Sequence, residues 1–182
     1  MKVVQSSDIL IGDYFFHEEL KSEVLDLLKV AYSISREHSN VKAFHTDWDW
    51  EPENLKIRNV KAFILSEIEK FYEPGKVSDG TPYRVRYKSF WANVYHKGDY
   101  AQSHCHKPFH YSVAYFLKCK WYDSPLVFTE SGKRVRPKEG RFVAFPAHMK
   151  HHVPKHRYND TRITLSGNLE VKMDGKEIGY LP

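Results

Sequence analysis

The chain has 182 residues, of which 41% are hydrophobic and 28% charged. These are the proportions of a globular protein with a full core, and they exclude a disordered or collagen-like chain. A formal charge of +5 and a pI near 9.0 would suit anionic partners, but the basic residues stand beside acids, as in "EIEK" and "RPKEGR", rather than in a basic run. No stretch approaches the ~20 apolar residues of a membrane span. The opening "MKVVQSSDIL" has no signal-type apolar core, and there are two cysteines, Cys105 and Cys119. The expectation is a cytoplasmic chain with both thiols free.

The first part of the sequence reads as helical. "FFHEELKSEVLDLLKVAYSI" places Leu20, Val24, Leu27, Leu28 and Ala31 at three-and-four spacing. "EPENLKIRNVKAFILSEIEKFYEPG" has Pro52 near its first turn, a stripe from Leu55 through Val60, Phe63, Ile64 and Ile68 to Phe71, and a stop at Pro74-Gly75. Between them lies the polar-aromatic loop "AFHTDWDWEP", a surface connection anchored by Trp48 and Trp50 or a wall beside a substrate.

The rest of the chain changes period. "YRVRYKSFWANVY", "YSVAYFLKCKW", "SPLVFTE", "GRFVAFP" and "RITLSGNLEVKM" are aromatic and β-branched runs separated by Gly, Pro, Asp and Ser. Helices followed by strands predict an α+β chain whose sheet half is a sandwich or barrel. It reads as a single domain over 1–182, with helical support in 1–82 and a β core in 83–175.

Eight of the 11 histidines lie between His96 and His156. In "QSHCHKPFH", His104 and His106 are two residues apart, so on a strand they share a face about 7 Å apart at Cα and both rings reach one ion. His110, six residues from His104, is too far away in extended chain. In "FVAFPAHMKHHVP", an extended reading puts His151 on the apolar face with Val143, Phe145 and Val153, and turns His148 and His152 away. The same spacing is compatible with solvated loop histidines and a satisfied core histidine. Arg162 and Thr164 share a face of the following strand, and a buried arginine there needs an anion.

The order of these parts, strand, glycine turn, His-x-His, strand, "FP", His, then Arg-x-Thr, resembles the iron(II)- and 2-oxoglutarate-dependent oxygenases of the prolyl 4-hydroxylase-like superfamily, closest to a poorly characterised bacterial and phage branch. "WANVYHKGDYAQSHCH", "HYSVAYFL", "GRFVAFPAHMKHHVP" and "RITLSGN" carry the resemblance, over about the last half of the chain. It implies a double-stranded β-helix, or jelly roll, with N-terminal supporting helices. It implies Fe(II) held by His104, His106 and His151. It also implies 2-oxoglutarate gripped by Arg162 beside Thr164 and Tyr95, with O2 as the oxidant and succinate and CO2 as co-products. The product would be a hydroxylated peptide side chain, amino acid or small metabolite.

Two residues depart from that pattern. His106 stands where the superfamily has Asp or Glu, and Phe116 where many members have a tyrosine. Repair demethylases of nucleic acid carry a second arginine six residues after the first, a position held here by Asn168, so nucleic acid is an unfavoured substrate. A cupin-type metal-binding protein without oxygenase activity would accept three histidines but has no need of Arg162. Cys105, between two candidate ligands, is expected to face away from them into the core.

Overall fold

The computed structural model describes residues 8–31, 40–72, 83–173 and 176–177. Helix α1 spans His17–Ala31 and α2 spans Leu55–Tyr72. Asn54, not Pro52, caps α2: its Oδ1 accepts the Ile57 amide at 3.0 Å. The expected stop at Pro74-Gly75 lies outside the described residues.

Twelve strands follow the chain. They are β1 (Leu10–Asp13), β2 (Val41–Lys42), β3 (Phe44–His45), β4 (Tyr83–Tyr95), β5 (Tyr100–His104) and β6 (Tyr111–Lys118). The others are β7 (Leu126–Phe128), β8 (Arg134–Val135), β9 (Arg141–Pro146), β10 (His151–Val153), β11 (Arg162–Met173) and β12 (Lys176–Glu177). The larger sheet runs β1-β9-β6-β11-β4-β3, with β12 on β11, and the smaller runs β2-β5-β10-β7-β8. All named pairs are antiparallel. From β4 onward the chain passes back and forth between the two sheets, which is the double-stranded β-helix. The early part is therefore not helical alone. Strands β1, β2 and β3 extend both sheets, and at two to four residues each they are too short to show an alternating pattern.

The larger sheet is buried on both faces, which explains its long apolar runs. On one face Phe90, Ala92, Val94, Ile163, Leu165 and Phe142 pack with Leu20, Val24, Leu28, Ile57, Val60, Ile64 and Ile68 of the helices. On the other, Tyr95, Phe116, Val143 and Phe145 meet Ala101, Phe128 and Val153 of the smaller sheet. Cutting a buried Leu20 or Leu28 to alanine would cost about 2–5 kcal/mol. Cys119 belongs to the second cluster, where burial pushes its thiol up to about 12. Cys105 is only half-buried and joins neither cluster.

Strand β11 is central, paired with β4 and β6, and its register fixes the inner face of the barrel. Arg162 lies opposite Tyr95, Thr164 opposite Asn93 and Ser166 opposite Trp91. Gly98, at a φ of +95°, makes the turn from β4 into β5 in a conformation that side chains other than glycine's seldom tolerate.

Candidate metal centre and anion pocket

His104 is the last residue of β5 and pairs directly with His151, the first of β10. His106 is not on that strand. It follows in the loop, where its amide donates to the Ala147 carbonyl at 2.8 Å in the turn between β9 and β10. The rings still converge. Their centroids stand 5.0 Å apart for His104 and His106, 4.5 Å for His104 and His151, and 5.1 Å for His106 and His151. One nitrogen from each lies within 4.8 Å of the other two.

Hydrogen bonds set which nitrogens face inward. His104 Nδ1 donates to the Gln102 carbonyl at 2.7 Å, and His151 Nδ1 donates to the Met149 carbonyl at 3.0 Å. Each ring therefore turns a lone pair on Nε2 into the site. His106 Nε2 and His151 Nε2 are 3.3 Å apart. Two ligands at about 2.1 Å from one ion and at right angles would be about 3.0 Å apart. Burial, with the neighbouring histidines adding to it, lowers His106 to about 3 and His151 to about 4, and burial also lowers His104. All three are neutral imidazoles at pH 7, the form that binds metal.

His151 points inward as expected, but by a different route. The chain from Val143 to Val153 is not one extended run: β9 ends at Pro146, a turn crosses the barrel, and β10 begins in the other sheet. His148 is exposed on that turn. His152 faces away, 3.2 Å from Thr129 Oγ1, and His110 Nδ1 accepts the Val171 amide at 3.3 Å outside the cluster.

The same cavity, about 480 Å3 of space partly open to solvent, is lined by His104, His106, His151, Tyr95, Thr164 and Arg162. Arg162 is 2% exposed, yet its Nε and Nη1 have no hydrogen-bond partner. It is held between aromatic rings, 4.7 Å from the centre of Tyr95 and 5.4 Å from that of Phe116. Burial raises the Tyr95 hydroxyl's pKa, and the guanidinium beside it opposes the rise. Thr164 is buried, with its hydroxyl 3.4 Å from Asn93 Nδ2. A buried guanidinium with two unpartnered nitrogens is costly, and a carboxylate entering the cavity would satisfy it. Three convergent lone pairs and an unsatisfied cation in one pocket therefore fit a divalent metal and an anionic chelator together.

Residue-type reasoning missed Trp91, Asn93, Ser112 and Ser166, which also line the cavity. Alternation along β4 and β11 could have found them, since Trp91 and Asn93 share a face with Tyr95, and Ser166 with Arg162. The two tryptophans of the aromatic loop make different contacts. Trp48 stacks on His45 at 4.7 Å and meets Trp91 edge-on at 4.7 Å, and Trp91 in turn lies 6.0 Å from His106. Trp50 instead stacks on Phe90, on the helix side of the sheet. Of "KGDYAQ" only 97–99 is turn, the rest being the start of β5; that turn and "WYDSP" follow the ends of β4 and β6 that pair with Arg162 and Ile163, at the arginine end of the barrel.

No protein-family model matches the chain, and no curated protein is significantly similar to it in sequence. Solved structures are similar to it in fold. A viral collagen prolyl hydroxylase from Paramecium bursaria Chlorella virus-1, in complex with 2-oxoglutarate, superposes with a TM-score of 0.66 at 13% identity, over 90% of this chain and 96% of that one. A Pseudomonas putida prolyl-4-hydroxylase gives 0.64 at 14% identity, over 90% and 92%. HygX from Streptomyces hygroscopicus, with nickel, 2-oxoglutarate and hygromycin B bound, gives 0.64 at 7% identity, over 90% and 82%. The chain thus has the jelly-roll fold of the 2-oxoglutarate- and Fe(II)-dependent oxygenases. Among those oxygenases, its fold is similar to that of the prolyl hydroxylases. Among the described residues no helix is long and apolar enough to cross a membrane.

Proposed function

We propose that this chain is an iron(II)- and 2-oxoglutarate-dependent dioxygenase in which three histidines replace the usual two histidines and a carboxylate. One observation carries the reading: a buried guanidinium with two unpaired nitrogens shares a cavity with three inward-facing imidazoles. The shared fold supports it, and a cupin-type metal site would leave Arg162 an unexplained cost.

His104, His106 and His151 would hold the metal through Nε2, with the Gln102 and Met149 carbonyls keeping two of the rings in the required tautomer. Bound together, Fe(II), 2-oxoglutarate and O2 would supply the oxidation, yielding succinate, CO2 and a hydroxylated C–H bond. Arg162 would bind the distal carboxylate, with the Thr164 hydroxyl beside it. Tyr95 and Phe116 would keep water from that contact, so that it acts in a low dielectric. Phe116 offers no hydroxyl, which leaves Arg162 the main anchor. Trp48 and Trp91 would wall the mouth, favouring a substrate with an apolar body, whether peptide side chain, amino acid or small metabolite. The Asn168 position carries no arginine and is tied to Ser89 at 3.0 Å, which weighs against a nucleic-acid substrate.

The test is an anaerobic titration with Fe(II) and then 2-oxoglutarate, read by the weak visible charge-transfer band of the chelate. The band should appear in the parent. It should vanish in His151→Ala at any 2-oxoglutarate concentration, and it should need roughly tenfold to a hundredfold more 2-oxoglutarate in Arg162→Ala. Iron binding without a band in the parent would overturn the cosubstrate assignment and return the chain to a metal-binding role.

A further inference from the structure

Beneath Arg162, at the closed end of the barrel, three loops are stitched together. The Gly98 amide donates to the His156 carbonyl, and the His156 amide to the Asp99 carbonyl, both at 2.7 Å. Ser124 Oγ donates to the Lys155 carbonyl at 3.1 Å, and the Tyr122 hydroxyl to Asp160 Oδ2 at 3.1 Å. In their middle lie Asp123 and His156, whose side chains are 0% exposed. One ring nitrogen of His156 and one carboxylate oxygen each from Asp123 and Asp160 lie within 4.8 Å of one another.

The polar atoms there do not satisfy one another. His156 Nε2 donates to the Asp160 carbonyl at 2.9 Å, which leaves Nδ1 as the free nitrogen of the ring. Nδ1 faces Asp123 Oδ1 across 4.0 Å, too far for a hydrogen bond, and neither atom has a partner. Asp160 Oδ1, 3.3 Å from His156 Nε2, is unpartnered as well. A buried carboxylate facing a lone pair is strongly unfavourable without a positive charge between them. Arg162 is the neighbouring cation, but it also lines the cavity described above, where an incoming anion would claim its free nitrogens. An ion at about 2.1 Å from both Nδ1 and Oδ1 needs them no more than about 4.2 Å apart, and about 3.4 Å in a tetrahedral site. The observed gap closes to that value with a movement of about half an ångström.

We propose that Asp123, His156 and Asp160 form a second, structural divalent-metal site of the zinc type, with His156 Nδ1 and Asp123 Oδ1 as its first two ligands and a carboxylate oxygen of Asp160, in the same cluster, as the third. It ties the loop after β6 to the loop before β11 and supplies the charge that Arg162 withdraws once it binds an anion. The donor set, one imidazole and two carboxylates, suits zinc and leaves one position for water. The proposal does not depend on which metal the three clustered histidines hold.

Chelator-stripped protein titrated with Zn2+ against a chromophoric chelator tests it. The parent should bind two zinc ions per chain, and Asp123→Asn and Asp160→Asn one each. A variant with His104, His106 and His151 all replaced by alanine should keep one ion. Zinc at about a hundredfold above Kd should raise that variant's Tm by roughly 5–10 °C, a rise that further Asp123→Asn substitution removes. A parent that binds a single ion, lost in the triple variant, would overturn the site and leave a proton or a water between Asp123 and His156. Two ions retained in Asp123→Asn would overturn it as well. Should the aspartate variants not fold, anomalous diffraction at the zinc edge from parent crystals decides between a peak at His156 Nδ1 and none.

Discussion

The histidine end of the cavity comes from short pieces of chain: the last residue of a five-residue strand, a loop residue, and the first residue of a three-residue strand. The arginine end comes from the two longest strands, 13 and 12 residues, paired from end to end with one irregularity at Lys88. Short strands at a rim can aim rings at a common point and tolerate the small adjustments that coordination asks for. Long paired strands hold a charge where it could not rest alone. The larger sheet, covered on both faces, stores a guanidinium with two unsatisfied nitrogens, and the smaller sheet with the loop after β5 carries groups that are content as neutral imidazoles.

Removing ligands at each end should separate the two roles. The largest effect is expected for His151→Ala, which should weaken Fe(II) binding by more than about a hundredfold, beyond the usual effect of losing a ligand's outer partner. His152→Ala should leave it unchanged by isothermal titration, and the opposite pattern would show that the wrong neighbour was assigned. His106→Asp should retain tight binding, since a carboxylate can take that place.

At the other end, Arg162→Met should weaken 2-oxoglutarate binding by tenfold to a hundredfold while Fe(II) affinity stays put. Its ligand-free form should melt no lower than the parent, because the substitution removes a buried unpaired charge. A ligand-free Tm that falls by several degrees would mean that Arg162 is a structural residue.

The aromatic loop offers a smaller contrast. Trp50→Ala should cost about 2 kcal/mol of stability by urea melting, as a partly buried ring lost from the face that meets the helices. Trp48→Ala should melt like the parent and spare substrate-free 2-oxoglutarate turnover, yet lower substrate-coupled turnover. Equal loss of stability in both would make the two tryptophans one structural pair.

The smallest effect concerns pH and lies outside the cavity. His17, the first residue of α1, is lowered chiefly by burial, and its Nδ1 accepts the Tyr115 hydroxyl at 2.7 Å. Its folded pKa is below the unfolded 6.5, so its contribution is full above pH 6.5 and is lost as pH falls through the folded value. Urea melts at pH 7.5 and 5.0 should therefore show a larger loss for the parent than for His17→Gln, which keeps an acceptor but has no proton to gain.

Much of this was legible in the sequence, and for uneven reasons. β4 and β11 were read to the residue because each is a long aromatic or β-branched run. Alternation along one unbroken strand selects His151, but the structure breaks that strand at Pro146, so an inward-facing residue is reached from the wrong geometry. The i, i+2 spacing pairs His106 with His104 on one strand, yet His106 sits past the strand and is placed by a contact with Ala147 across the barrel. Contacts of that kind, like the meeting of Asp123 with His156 across 33 positions, leave no periodic trace. The short strands β1, β2 and β3 left none either, because two to four residues do not make a pattern.

The opposition of Arg162 to Tyr95 and of Thr164 to Asn93 on the ladder has a further consequence. Inward-facing side chains on β11 recur only every second residue, in steps of about 6.8 Å. The span between the imidazoles and the guanidinium is therefore counted in rungs and cannot be tuned continuously. Slipping β11 by one residue would present Ile163 and Leu165 to the cavity and bury Arg162 and Thr164 against the helices. Slipping it by two would move the positive charge a full step. A longer or shorter dicarboxylate could be accommodated only by exchanging side chains at fixed rungs, so the sheet acts as a ruler with one graduation every two residues.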